Sequence, residues 1–97
     1  MFRKIWWRLK AVDNDEGFAV TFAGLRKGIE YRDGAEVYRF EVERSTGAPD
    51  WIVYTKSLRR WFPSGEMEVV PDETGRQIAA RVRAALHFLQ INFAMDE

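Results

Sequence analysis

The sequence has no cysteine and a single histidine. Disulfides and thiolate ligands are therefore excluded, and a metal site would have to be built from carboxylates. There is also no excess charge. Lysine plus arginine and aspartate plus glutamate number 15 each, so the formal net charge is zero. A balanced chain exerts no global pull on nucleic acid or on an anionic membrane. No apolar run approaches the roughly 20 residues of a membrane span. Met1 to Lys10 is basic but is followed by Val12, Asp13, Asp15 and Glu16, not by a small-residue apolar stretch. That pattern argues against a secretory signal, and the expectation is a cytoplasmic protein without a membrane partner.

What is present suits one core. The 97 residues are 46% hydrophobic and 14% aromatic, which argues against a disordered chain. A single domain over residues 1–97 is expected.

Period-two alternation marks the strands. Phe18, Val20 and Phe22 alternate with Ala19, Thr21 and Ala23 after a polar turn at Asp13–Gly17. Ile29–Arg32 is a short strand closed by the turn dipeptide Asp33-Gly34. Gly24 to Gly28 before it is a basic loop. Tyr38, Phe40 and Val42 face one side of Glu36–Arg44, with Arg39, Glu41 and Glu43 on the other. A charged face meets water, so the sheet is expected to be antiparallel and one-sided. Ser45–Asp50 is a hairpin loop. Trp51–Tyr54 is apolar throughout and suits a strand covered on both faces. Trp61–Gly65 is a turn around Pro63, and Glu66–Val70 is a short edge segment. Phe2–Lys10 fits either period, and its paired tryptophans favour a strand.

The spacing predicts a helix over Asp72–Phe93, entered through Pro71 with acids at its positive end. Ile78, Val82, Ala85, Leu86, Leu89 and Phe93 form its apolar stripe. Ala84, Phe88 and Ile91 lie to one side of that stripe. They meet either the N-terminal strand with Trp6 or a partner. The expected fold class is α+β: an antiparallel sheet of about four or five strands with one long C-terminal helix packed on one face. The expected core is Val20, Phe22, Phe40, Val42, Trp51, Val53, Ile78, Val82, Leu86 and Leu89.

No residue set announces a chemistry. His87 falls on the polar stripe of the helix with no nucleophile or orienter implied beside it. The acids at Asp13, Asp15 and Glu16 lack the loop length and closing ligand of a calcium hand. No glycine-rich phosphate cradle follows a strand. No catalytic residue, metal or cofactor is therefore expected.

Two binding classes remain. Arg59, Arg60, Trp61 and Phe62 beside a proline turn, or Phe88 and Ile91 on the helix, are the residue types that dominate protein interfaces. The alternative for Trp61 is a core role, folded back over the helix end. For single-stranded nucleic acid the candidates are the basic blocks with their aromatics: Arg3, Lys4, Trp6, Arg8, Lys10, Arg26, Lys27 and Lys56. A self-associating scaffold or homodimer using Ala84, Phe88 and Ile91 is a third reading.

Residues from about Lys27 to Phe93 also carry a recognisable set. It comprises Gly28-Ile29-Glu30-Tyr31, the strand Tyr38–Glu43, and Ile52-Val53-Tyr54-x-x-Ser57-Leu58-x-x-Trp61-x-Pro63. An acidic, proline-led helix with Ile78 and Leu86 on its buried face completes it. This set resembles the bacterial polymorphic-toxin immunity proteins, of the family catalogued as immunity protein seventy-four. The resemblance implies a small, cytoplasmic, non-enzymatic protein that neutralises a toxin from a neighbouring cell or from the same cell. It carries over no individual binding residue.

Overall fold

A computed structural model describes residues 2–4 and 10–96, with Arg26 described for its backbone only. The elements in chain order are β1 (Phe2–Lys4), β2 (Ala11–Asn14), β3 (Phe18–Phe22), α1 (Gly24–Lys27), β4 (Ile29–Asp33), β5 (Glu36–Arg44), β6 (Trp51–Trp61), β7 (Met67–Val69), α2 (Asp72–Phe88) and β8 (Phe93–Asp96). The class is α+β. The described strands form one eight-stranded sheet, larger than the four or five expected, in the spatial order β1 to β7. All neighbours along that order pair antiparallel, whereas β8 pairs parallel with β6. The long strand β6 thus shares its second edge between two short strands, β8 along Trp51–Tyr54 and β7 along Arg59–Trp61.

The extra strands come from places where periodicity was weak. Ala11–Asn14 extends into what reads as a polar turn, so the turn shrinks to Asn14–Gly17. Trp51–Tyr54 is the start of an eleven-residue strand that runs on to Trp61. The basic stretch Gly24–Lys27 is one helical turn, not a loop.

The sheet curls. Phe22 on β3 and Trp51 on β6 have ring centroids 4.9 Å apart. Two strands separate them, and three flat steps would span about 14 Å. The curl brings alternate residues of β2 to β6 around α2. Val12, Val20, Ile29, Phe40 and Val53 join Val82 and Leu86 in one buried cluster. Each fully buried Val, Ile, Leu or Phe side chain there contributes about 1.5–3 kcal/mol. Of the expected core, Trp51 and Leu89 are partly buried and pack against this cluster, and the rest are buried.

The helix ends at Phe88, five residues before the periodicity does. Gln90 takes a left-handed conformation, φ 59°. Its N–H donates to His87 O, and the Ile91 N–H donates back to Leu86 O, both at 3.0 Å. This is a Schellman closure formed without glycine, with Leu86 and Ile91 as its apolar pair. It turns the chain so that Phe93–Asp96 becomes a strand, and Phe93 is not part of the helical stripe.

At the β4–β5 hairpin the core ends in two matched clusters. Tyr31 and Tyr38 are cross-strand partners. The Tyr38 hydroxyl donates to Glu36 at 2.8 Å, and Arg60 lies 3.8 Å from the same carboxylate. The Tyr31 hydroxyl donates to Asp33 at 3.3 Å and accepts from Arg81 of α2 at 2.7 Å. Burial pushes both tyrosines above their ordinary value; Tyr38, with Glu36 adding to the effect, is raised to about 12.

Candidate functional site

Alternation sends the other half of each strand to the face away from α2. On that outer face Thr21, Glu30, Arg39, Arg59 and Val69 are successive cross-strand partners on β3 to β7. They form a row across the strands. Glu30 sits between Arg32 at 3.6 Å and Arg39 at 3.5 Å, and the Arg39 guanidinium lies 4.8 Å from the Trp61 ring. Ion pairs this open contribute little to stability. The stack of guanidinium on indole orders both groups at low entropic cost and keeps them at the surface.

Arg39 and Arg59 of this row lie on the floor of a groove of about 710 Å³. One wall is α1, through Leu25, Lys27 and Gly28; the opposite wall is β7, through Met67. Gly28 lets α1 lie close to β5: it has φ +67°, and a Cβ there would stand 1.9 Å from Phe40 O. Leu25 and Met67 are 62% and 58% exposed, so both stand open to solvent at the groove's walls. Glu41, Glu43 and Tyr54 line the groove's other end. Burial first, then the charge of Glu43, pushes the Tyr54 phenol up. A second hollow of about 560 Å³ adjoins it, lined by Lys10, Thr21 and Glu30 and sharing Lys27 and Arg39 with the first.

The groove floor depends on an irregularity in β6. Between the pairs Arg39–Arg59 and Glu41–Tyr54, Phe40 alone on β5 faces Thr55, Lys56, Ser57 and Leu58 on β6. Ser57 closes the gap, accepting from the Glu41 N–H at 2.7 Å and donating to Tyr54 O at 2.5 Å. Arg59 donates to Lys56 O and Leu58 O at 3.0 and 2.8 Å. Leu58 turns into the core as Arg59 and Trp61 turn out.

The structure divides the residues nominated for protein binding. Arg59 and Trp61 line the outer groove, so Trp61 does not fold over the helix end. Arg60 is the partner of buried Tyr38 on the opposite face, where its guanidinium lies 4.7 Å from the Phe62 ring. Phe88, 47% exposed, meets Phe2 of β1 with ring centroids 5.8 Å apart, and Ile91 is half-buried against the core. Arg59, Arg60, Trp61 and Phe62 are therefore not one patch, and Phe88 and Ile91 belong to the helix side. Trp51, Ile52 and Tyr54 are half-buried, so that segment is not covered on both faces as expected.

The residues nominated for nucleic acid scatter likewise. Lys10 and Lys27 share the second hollow. Arg3 pairs with Asp13 at 3.1 Å on the first strands, Lys4 is exposed on β1, and Lys56 lies in a separate hollow beside β7 and α2. Arg26 is in α1, and Trp6 and Arg8 lie outside the described residues. His87 is exposed, with its ring 5.0 Å from that of Phe93. Among the described residues no group of three or more His, Asp or Glu is placed to hold a metal ion, and no helix is long and apolar enough to cross a membrane.

Nothing in the local sequence marks Leu25, Arg39 or Met67 as site residues. By alternation Arg39 is one charge of a solvated face, and only the cross-strand register puts it beside Trp61. Comparisons with family models, with curated proteins and with solved structures return no match.

Proposed function

We propose that the protein is a non-enzymatic binding module for another protein, working through the outer groove of its sheet. The observation that carries this reading is the Arg39–Trp61 stack set between exposed Leu25 and Met67. Aromatic and arginine anchors flanked by aliphatic surface are what dominate protein interfaces. The charges around them have both signs, Arg39, Arg59 and Lys27 against Glu30, Glu41 and Glu43, which suits a patterned protein surface. That the partner is a toxin, neutralised in the cytoplasm of a bacterium, rests on the sequence resemblance around Ser57-Leu58-x-x-Trp61-x-Pro63.

Co-expression with the product of the adjacent reading frame tests it. A complex of fixed stoichiometry that protects cells, weakened about tenfold or more by Trp61→Ala, is expected. No complex and no protection would remove the proposal.

A second reading, a single-strand nucleic-acid binder, draws on Lys10, Lys27 and Arg39 sharing one hollow near the Trp61 ring. It requires binding to oligothymidylate or oligouridylate that falls steeply with salt. A flat gel shift at low salt eliminates it.

A further inference from the structure

We infer that the groove accepts an acidic segment of the partner, its carboxylates against Lys10, Lys27 and Arg39 and a neighbouring apolar side chain between Leu25, Trp61 and Met67. This rests on the protein-binding reading and names the chemistry of the partner at that site.

Charge is the first argument. The second hollow holds three cations, Lys10, Lys27 and Arg39, against Glu30. Glu30 is already shared between Arg32 and Arg39, at 3.6 and 3.5 Å. The guanidinium of Arg39 is fixed between the Trp61 ring and Glu30, so it meets an incoming carboxylate in a set position.

Continuity is the second. Lys27 and Arg39 line both hollows, so the basic end opens directly into the one bounded by Leu25, Trp61 and Met67. From Thr21 to Arg59 the floor crosses three strand spacings, about 14 Å, the reach of about four extended residues. One short segment can therefore hold both its acids and its anchor in place.

The far end discriminates between polyanions. Glu41 and Glu43 lie along β5 to one side of Arg39 and line the same hollow, so a phosphate chain filling that hollow would meet like charge there. A polypeptide need only carry a neutral or basic residue at that point. Carboxylates followed by an apolar side chain satisfy the whole groove; a uniform phosphate chain does not.

The test uses the full chain and fluorescein-labelled peptides read by anisotropy at low salt. The acidic peptide Asp-Glu-Asp-Leu-Phe is expected to bind with Kd below about 1 mM, and Lys-Arg-Lys-Leu-Phe not to bind. Raising the salt several-fold should weaken binding about fivefold or more. Lys27→Glu should abolish it, and Leu25→Ser should weaken it about fivefold; both residues are exposed, so folding is preserved. Equal binding of the basic peptide, no binding up to about 1 mM, or indifference to Lys27→Glu would overturn the inference. Oligothymidylate binding in place of the acidic peptide would overturn it in favour of nucleic acid. If the adjacent-frame product still forms a complex sensitive to Trp61→Ala while the acidic peptide fails, the inference falls and the protein-binding reading stands.

Discussion

The backbone N–H of Glu41 on β5 is satisfied by the side chain of Ser57 on β6, at 2.7 Å, where a ladder carbonyl would ordinarily stand. Ser57 in turn donates to Tyr54 O, so one hydroxyl joins both sides of the bulge. The bulge decides which residues of β6 face out, and so the groove depends on it.

Ser57→Ala is expected to lower stability by about 1 kcal/mol and to raise the exchange rate of the Glu41 amide selectively. Chemical denaturation and amide hydrogen exchange read the two effects. If the Glu41 amide exchanges as slowly as before, a water or a shifted strand replaces the hydroxyl and the stated role is wrong.

Much of the architecture was legible because alternation is local. Phe18–Phe22, Ile29–Asp33 and Glu36–Arg44 are strands whose inward residues are buried as their spacing implies. The helix stripe through Ile78, Val82, Ala85 and Leu86 is buried for the same reason. The bulge was not legible, because nothing in Thr55-Lys56-Ser57-Leu58 marks an irregularity until Phe40 alone is seen to face it. Parallel pairing of β8 with β6 spans some forty residues of chain, as in the bond from Thr55 Oγ1 to Asp96 O across 41 positions, and no window holds that information. The groove inherits both failures: Trp61 carried a visible signal, whereas Arg39, Leu25 and Met67 acquire theirs from register.

Gly28→Ala tests the close approach of α1 to β5. The added Cβ would stand 1.9 Å from Phe40 O, a backbone atom, at a φ of +67° that disfavours any side chain. Either α1 lifts from the sheet or the Ile29–Phe40 pair separates. A loss of about 3 kcal/mol or more is expected in denaturant unfolding. A variant as stable as the parent would mean that this approach is looser than the geometry states.

Gln90→Gly should act in the opposite direction. Gln90 holds φ 59° to close α2, and a non-glycine residue there costs about 1–2 kcal/mol. Glycine removes that strain but adds freedom to the unfolded chain, about 0.5–1 kcal/mol. The net expectation is a gain of up to about 1 kcal/mol, with binding at the outer groove unchanged. A loss of stability would show that the Gln90 side chain contributes a contact beyond its backbone role.

Alkaline pH should unfold the protein through Tyr38. Its hydroxyl donates to Glu36 and is raised to about 12, chiefly by burial, against an ordinary value near 10. From about pH 10 the unfolded chain sheds this proton while the folded chain keeps it, so stability falls as pH rises. The stabilisation is fully present below pH 10, and its loss is complete only above about 12, where the folded group also ionises. The total from this group is about 2–3 kcal/mol. Tyr31, raised in the same direction by burial, steepens the decline. Denaturation midpoints measured from pH 8 upward should be level and then fall. Tyr38→Phe should begin from a lower plateau, having lost the bond to Glu36, and fall less steeply. Parallel curves for parent and variant would assign the alkaline decline to other groups.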